Sequence, residues 1–311
     1  MLTGEDYLYH IPGKYSASSC NNCGLWFQNP RPKLSHLAKL YPSEYGPHLT
    51  VGSTPPTINP ATASQTQSQQ ASWFYRFKND MALRRRKRRR LRQQIRQLKY
   101  LQPLTPSFVP NGKVLEIGCA TGTRLMQLRT IGWQDITGIE LVPDAAACAK
   151  TNGFTVHCGT VEDVLPTLSN QSFDAIIASF VLEHCINPFA VVSMVADKLK
   201  PGGEFLFSTV VRNAIDARIY GRYWGGYDFP RHMIYFSLAD IDTLLRDKFI
   251  QVKRIHENAP IDFVRSATWR NRPVDRIVRG IASSHMASPL TFLLARAGLT
   301  CRVSYRCRHH E

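Results

Sequence analysis

From Lys113 onward the chain alternates two kinds of segment, and that alternation restricts the fold more than any other feature. Strand-like runs cover 113–118, 135–140, 154–158, 173–179, 204–209 and 249–256. Helical segments lie between them at 122–131, 143–152, 188–199 and 237–246. Runs such as Phe173-Asp174-Ala175-Ile176-Ile177-Ala178 stay apolar without the in-out alternation of a half-exposed strand. Strands of that kind suit a parallel sheet covered on both faces. The order predicts an α/β fold, a doubly wound, mostly parallel seven-stranded sheet. Lys200-Pro201-Gly202-Gly203 ends one helix and turns the chain into the next strand. Residues 260–300 read as helical and irregular, and 301–308 as a last edge strand.

The flanks read differently. Residues 1–49 form a small, turn-rich N-terminal appendage. Residues 50–72 are rich in Ser, Thr, Gln and Pro, have little to bury, and read as a disordered linker. Residues 73–108 are a basic helical lead-in, ended by Pro103 and Pro106. The core is expected over 109–258, with a C-terminal helical extension and last strand over 259–311. The longest apolar stretches fall short of the roughly 18 to 20 residues of a membrane span. The N-terminus lacks the basic-then-apolar order of a secretion signal, so a cytoplasmic location is the default.

An open α/β sheet binds ligands at the carboxyl ends of its strands, where the strand order reverses. Gly118 ends the first strand, and Gly118, Ala120 and Gly122 place small residues at alternate positions. Such residues allow close backbone approach to a ligand. Glu140 ends the second strand, where a carboxylate can accept both hydroxyl hydrogen bonds of a ribose. A dinucleotide site needs a third glycine at the sixth place of the loop, and Thr123 stands there instead. The spacing therefore favours a ligand carrying an amino acid rather than a pyrophosphate.

These residues carry a resemblance. Val114-Leu115-Glu116-Ile117-Gly118-Cys119-Ala120-Thr121-Gly122 resembles the first motif of the class I S-adenosylmethionine-dependent methyltransferases. Thr137-Gly138-Ile139-Glu140 resembles their acidic second-strand end. Gly159-Thr160-Val161-Glu162-Asp163 resembles their adenine loop. Leu182-Glu183-His184-Cys185-Ile186-Asn187-Pro188 resembles the continuation of their fourth strand, and Leu199-Lys200-Pro201-Gly202-Gly203 their turn into the fifth. The resemblance implies S-adenosylmethionine as cofactor. It places Glu116 near the cofactor's amino-acid end, Gly118, Cys119, Ala120 and Gly122 along the loop, Glu140 on the ribose, and Thr160, Val161 and Glu162 around the adenine. Leu141 and Ser179 complete the cofactor set. Ala120 replaces the usual middle glycine, an exchange expected to cost little, and Thr160 stands where many members carry a carboxylate.

Methyl transfer from a sulfonium asks mainly for alignment, plus a base where the acceptor loses a proton. Glu183 and His184 follow the fourth strand and face the crevice. His184 reads either as a general base or as a structural histidine. Residues 220–232 resemble a segment of a small-molecule subgroup with sugar and lipid-glycan neighbours. There Tyr223, Trp224, Tyr227 and Arg231 are expected to hold the acceptor and His232 to join Glu183 and His184 in catalysis. The competing reading is a packed aromatic loop with Arg231 paired to Asp228. Related quinone methyltransferases bind a metal near this point, but Ser179 and Glu183 supply too few carboxylates, so no metal is expected.

Cys20-Asn21-Asn22-Cys23-Gly24 and the following Gly24-Leu25-Trp26-Phe27-Gln28-Asn29-Pro30-Arg31-Pro32 match one knuckle of the subgroup's N-terminal zinc ribbon. A structural zinc needs four ligands, and the pair gives two. The reading is a remnant without bound zinc.

The net charge of +16 is unevenly placed. Residues 76–99 carry twelve Lys and Arg against Asp80, and 265–311 carry nine Arg against Asp275 and Glu311, leaving the rest near neutral. The run Arg84-Arg85-Arg86-Lys87-Arg88-Arg89-Arg90 ranks first as a solvated helix. Peripheral contact of 73–99 with an anionic membrane ranks second, and nucleic acid third. The leading function is therefore methylation of a small molecule such as a sugar or lipid-linked glycan. The alternatives are an RNA methyltransferase recruited through the arginines and a non-catalytic binding protein on the same fold.

Overall fold

The computed structural model describes residues 2–42, 45, 104–277 and 287–310. The expected linker, the arginine run and its membrane contact lie outside these residues. Three short strands open the chain: β1 (Leu2–Gly4), β2 (Tyr15–Ser19) and β3 (Trp26–Gln28). The main sheet follows with β4 (Lys113–Ile117), β5 (Asp135–Glu140), β6 (Thr155–Cys158), β7 (Phe173–Ser179) and β8 (Leu199–Val210). The two-residue β9 (Ile234–Tyr235) leaves that sheet, and β10 (Phe249–His256) and β11 (Arg302–His309) return to it.

The seven-stranded sheet runs β10-β11-β8-β7-β4-β5-β6. β4 pairs in parallel with β5 on one side and β7 on the other. The chain thus works outward through β5 and β6, then returns to the far side of β4. Sheets of this kind bind ligands where that order reverses, which here is at the carboxyl ends of β4 and β7.

Alternate residues of each central strand enter opposite cores. Leu115, Ile117, Ile176, Phe205 and Phe207 pack on one face, and Val114, Ala175, Ile177 and Leu206 on the other. That two-sided burial is what the unbroken apolar runs demand. Helices α1 (Thr123–Thr130), α2 (Pro143–Thr151) and α4 (Pro188–Lys198) cover the sheet, with the single turn α3 (Val161–Val164) after β6. Pro188 opens α4, Asn187 Oδ1 caps it by accepting the Ala190 N–H, and Val191, Val192 and Val195 are buried. Burying each valine stabilises by roughly 1.5 to 3 kcal/mol. The remaining helices are α5 (Ile215–Tyr220), α6 (Leu238–Leu245), α7 (Ile261–Arg270) and α8 (Ala287–Arg296). No helix among the described residues is long and apolar enough to cross a membrane.

Two expectations need correction. β11 is not an edge strand: it lies between β10 and β8, antiparallel to both, with Val303, Tyr305 and Cys307 fully buried. Its apolar alternation is satisfied only by a neighbour on each side. The Lys200–Gly203 turn is also absorbed into β8, as a register shift against β7.

The N-terminal strands do not stand apart. They form a second sheet of order β1-β2-β3-β9, in which Trp26 faces Tyr235 and Phe27 faces Ile234. The Gln28 N–H donates to the Met233 carbonyl at 2.8 Å. Ala17 and Leu37 belong to the same apolar cluster as the β7 and β8 residues. Through β9 the N-terminal segment borders the chain that carries Arg231 and His232.

Candidate active site

The cofactor side is built on the loop after β4. Gly118, Ala120 and Gly122 all have positive φ, at +72°, +48° and +86°. At Gly118 a Cβ would stand 2.8 Å from Val181 Cγ2, so the Val181 side chain packs directly on the bare glycine backbone. Ala120 is less innocent than its size suggests. A left-handed alanine costs roughly 1 to 2 kcal/mol, and the Ala120 N–H donates to Glu140 Oε2 at 2.8 Å, which helps hold it there. Glu140 Oε1 accepts the Val142 N–H, also at 2.8 Å. The buried carboxylate is thereby held by a backbone donor on each oxygen.

Glu116, at the end of β4, is buried and pairs with Arg124 at 3.0 Å through Oε1. Its Oε2 has no hydrogen-bond partner among the described residues. Burial pushes its carboxyl up to about 7, against the pull of Arg124. A desolvated carboxylate with an orphan oxygen suits a cationic ligand group, such as an amino acid's ammonium. The fixed Glu140 carboxylate and the orphan Glu116 oxygen, on either side of the small-residue loop, together fit S-adenosylmethionine. Cys119 is buried against Gly138, and Leu141 and Ser179 are half-buried at the ends of β5 and β7. Thr160 has its hydroxyl engaged: it caps α3 by accepting the Asp163 N–H and donates to Asp163 Oδ2 at 2.6 Å. Val161 is buried, and Glu162 Oε1 accepts the Ile186 N–H at 3.0 Å, so this carboxylate steadies the segment after His184.

The acceptor side brings Glu183, His184 and His232 together, with one ligand-type atom of each within 4.8 Å of the others. The two imidazoles stand perpendicular with centroids 4.6 Å apart. His232 Nδ1 lies 2.8 Å from the Gly226 carbonyl, and His184 Nδ1 lies 3.1 Å from the Arg231 carbonyl. A carbonyl only accepts, so His232 Nδ1 carries the proton and its Nε2 is left basic; His184 Nδ1 faces both the Arg231 carbonyl and the Tyr41 hydroxyl, the latter at 3.0 Å. Asp228 Oδ2 lies 3.8 Å from His232 Nε2 and stabilises a proton arriving there. Burial lowers His232 while Asp228 opposes the shift. His184 is held lower, at about 3, by burial and by His232 itself.

Glu183 is fully buried. Thr209 donates to its Oε2 at 2.9 Å, its Oε1 is unpartnered among the described residues, and burial raises its carboxyl to about 7. The count of carboxylates near β7 overlooked His232, which lies 48 positions after His184 and completes a three-residue group of metal-ligand type.

Of the residues expected at the acceptor, three are placed differently. Arg231 is fully buried, and its guanidinium holds Asp6 at 2.8 and 2.9 Å and Asp228 at 2.7 and 3.2 Å. It locks the loop to the N-terminal segment rather than presenting a free fork. Trp224 is buried, donates to Asp216 Oδ2 at 3.0 Å, and lies flush on Gly226, where a Cβ would collide with its indole. Tyr227 is buried between Trp224, Phe229 and Tyr235. Tyr223 alone of the four is half-exposed.

The N-terminal segment supplies what the sequence did not announce. The Tyr41 hydroxyl lies 3.0 Å from His184 Nδ1. Tyr45 stacks edge-on against Tyr41 and also approaches Tyr9. Arg31 donates to the Ile186 carbonyl at 2.7 Å. One signal was present: five of the 12 tyrosines, Tyr7, Tyr9, Tyr15, Tyr41 and Tyr45, fall in the first 45 residues. Cys20 and Cys23 sit on a turn closed by Gly24 N–H to the Cys20 carbonyl, while Cys301 and Cys307 are buried in the core.

The profile of a family described as "Methyltransferase domain" matches residues 83–248. A ubiquinone biosynthesis O-methyltransferase of Xanthomonas oryzae pv. oryzae is 27% identical over 172 residues, 51% of this chain and 69% of that protein. A ribosomal protein L11 methyltransferase of Burkholderia vietnamiensis is 30% identical over 123 residues, 39% of this chain and 40% of that one. An S-adenosylmethionine-dependent methyltransferase structure from Mesorhizobium loti aligns with a TM-score of 0.48 at 17% identity, covering 68% of this chain and 96% of that one. With the family match spanning more than half of the sequence, the chain belongs to the methyltransferase domain family, and it is an S-adenosylmethionine-dependent enzyme.

Proposed function

We propose that the chain methylates a hydroxyl group on a small-molecule acceptor of the sugar or lipid-linked glycan class. The observation that carries this reading is the basic Nε2 of His232, oriented by Gly226 and backed by Asp228. A buried base is needed where the acceptor must lose a proton as it reacts, and a hydroxyl must. The O-methyltransferase name of the Xanthomonas relative is consistent with it. The sugar class rests on the resemblance of residues 220–232.

When bound, S-adenosylmethionine supplies a methyl group on a positively charged sulfur. In this reading Glu140 holds the ribose, Glu116 faces the amino-acid end, and the loop 118–122 lines the cofactor. Val161 and Leu141 give apolar walls to the adenine side. His232 Nε2 takes the acceptor proton, and Asp228 stabilises the imidazolium so formed. His184 packs across His232 and fixes its tilt, with Tyr41 and the Arg231 carbonyl fixing His184 in turn. Tyr223 offers an exposed ring edge to the acceptor.

The test is incubation of the enzyme and trideuteromethyl-labelled cofactor with metabolite extracts, followed by mass spectrometry. The reading expects a labelled methyl ether. Label on a carbon, on a nitrogen or on a protein overturns it.

A further inference from the structure

The loop that ends at His232 begins at a second concavity. Helices α5 and α7 converge there by their carboxyl ends, around a groove of about 350 Å³ lined by Arg218, Tyr220, Arg222, Tyr223, Arg270 and Arg272. The arginines are not equivalent. Arg270 is structural: it pairs with the buried Asp275 at 2.6 and 3.0 Å, donates to the Ile219 carbonyl at 2.8 Å, and lies over the Tyr220 ring. A cation capping two helix carboxyl ends is ordinary. Arg222 lies over the Tyr223 ring and donates to its hydroxyl at 2.9 Å. Arg218 and Arg272 are exposed and make no side-chain hydrogen bond or ion pair among the described residues.

Three cations therefore border one concavity, and the one carboxylate acting on Arg272, Asp275, is shared with Arg270. Asp275 is fully buried and already bonded to Arg270 and to the Arg272 N–H. Asp216, behind Tyr220, is buried, and burial raises its carboxyl. Glu5, near Tyr7, forms no ion pair with these arginines among the described residues. The chain immediately following, 276–286, contains no acid at all. Like charges gathered in a cleft focus a field that attracts anions, and guanidinium forks match the oxygens of a phosphate.

The groove also adjoins a ring surface. Tyr7 lies 6.0 Å from Tyr223 and stacks on Trp269 at 5.4 Å. We infer that the groove binds a phosphate or diphosphate group, with Arg218, Arg222 and Arg272 as its donors and the Tyr7, Tyr223 and Trp269 rings beside the remainder of the ligand. The inference deepens the acceptor reading above and rests on it only for what that remainder is.

Calorimetry of inorganic pyrophosphate with the full chain, against the Arg218→Gln/Arg272→Gln double variant at fixed ionic strength, tests it. The expected result is saturable binding that weakens about tenfold or more in the double variant, with cofactor affinity unchanged. Absence of groove-dependent binding to both pyrophosphate and phosphatidylglycerol vesicles, or equal affinity in both proteins, overturns the inference; the latter would put the anion elsewhere, as on the arginines of 84–90. A parallel sedimentation with phosphatidylglycerol and phosphatidylcholine vesicles identifies the source. Groove-dependent binding to the former alone, with none to pyrophosphate, makes the phosphate a lipid headgroup. Neither arm uses turnover, so failure of the hydroxyl-acceptor reading leaves the result standing.

Discussion

The hydroxyl of Tyr41 lies 3.0 Å from Nδ1 of His184, and 143 positions of chain separate the two residues. Burial holds the phenol well above its ordinary pKa, so it stays protonated. The contact makes the N-terminal segment part of the wall around the imidazole pair. Tyr41→Phe keeps the ring and removes the hydroxyl. One hydrogen bond contributes about 1 kcal/mol, so kcat is expected to fall about fivefold with cofactor affinity unchanged. Steady-state kinetics with a turned-over acceptor checks this, and an unchanged kcat refutes the role of Tyr41.

The second tie is the buried pair of Arg231 with Asp6, at 2.8 Å and fully out of solvent on both sides. Burial alone would raise Asp6, but the Arg231 guanidinium and two backbone N–H groups bring it below its ordinary value. Removing Asp6 leaves the Arg231 guanidinium with Asp228 alone and costs the charge-assisted hydrogen bonds to Asp6, about 1.5 to 3 kcal/mol. Asp6→Ala should therefore lower the stability of the whole fold by that amount in urea unfolding. A change under about 0.5 kcal/mol, the size of an ordinary surface effect, would mean that the N-terminal segment is only loosely attached.

Much of this was legible in sequence, and the reasons are local. The β4, β5 and β7 runs announce themselves because a strand covered on both faces has no polar alternation to lose. Glu140 is legible because it ends such a run next to a loop of small residues. Tyr41 and Asp6 were not, since their partners lie 143 and 225 positions away and nothing near either residue encodes the pairing. β3 has three residues and β9 two, too short to show a period. Trp224 and Arg231 were misplaced because an aromatic, glycine-rich loop does not reveal which side chains turn inward. Gly226 settles Trp224 only once the indole is seen to fill its space.

The pH dependence of stability follows from His184. Burial and the neighbouring His232 lower it from 6.5 to about 3 in the folded chain, so the unfolded chain binds this proton first as pH falls. Stability from this group is present above its unfolded value and is lost as pH drops toward the folded one. The loss approaches about 1.4 kcal/mol per pH unit. Glu183 acts in the opposite sense: raised from 4.5 to about 7, it contributes stability that fades as pH rises through that range. His184→Gln should flatten the acid limb between about pH 6 and pH 4 by roughly 1 kcal/mol per unit. Parallel limbs for the two proteins would contradict the buried neutral imidazole.

Glu183, His184 and His232 have metal-ligand chemistry, but in the proposed reaction His232 handles a proton and His184 positions His232. Turnover is then expected to persist after chelation and dialysis, with no change in Tm. Loss of turnover restored by Mg²⁺ or Mn²⁺ would assign the three side chains to a metal instead.

The central claim is that His232 removes the acceptor proton. Single-turnover methyl transfer by His232→Gln, alongside calorimetry of cofactor binding, tests it most directly. The account predicts cofactor affinity within about twofold of the parent and a transfer rate lower by about 10² to 10⁴, the range of general-base catalysis. A variant that binds cofactor normally and transfers the methyl group at the parent rate would contradict it.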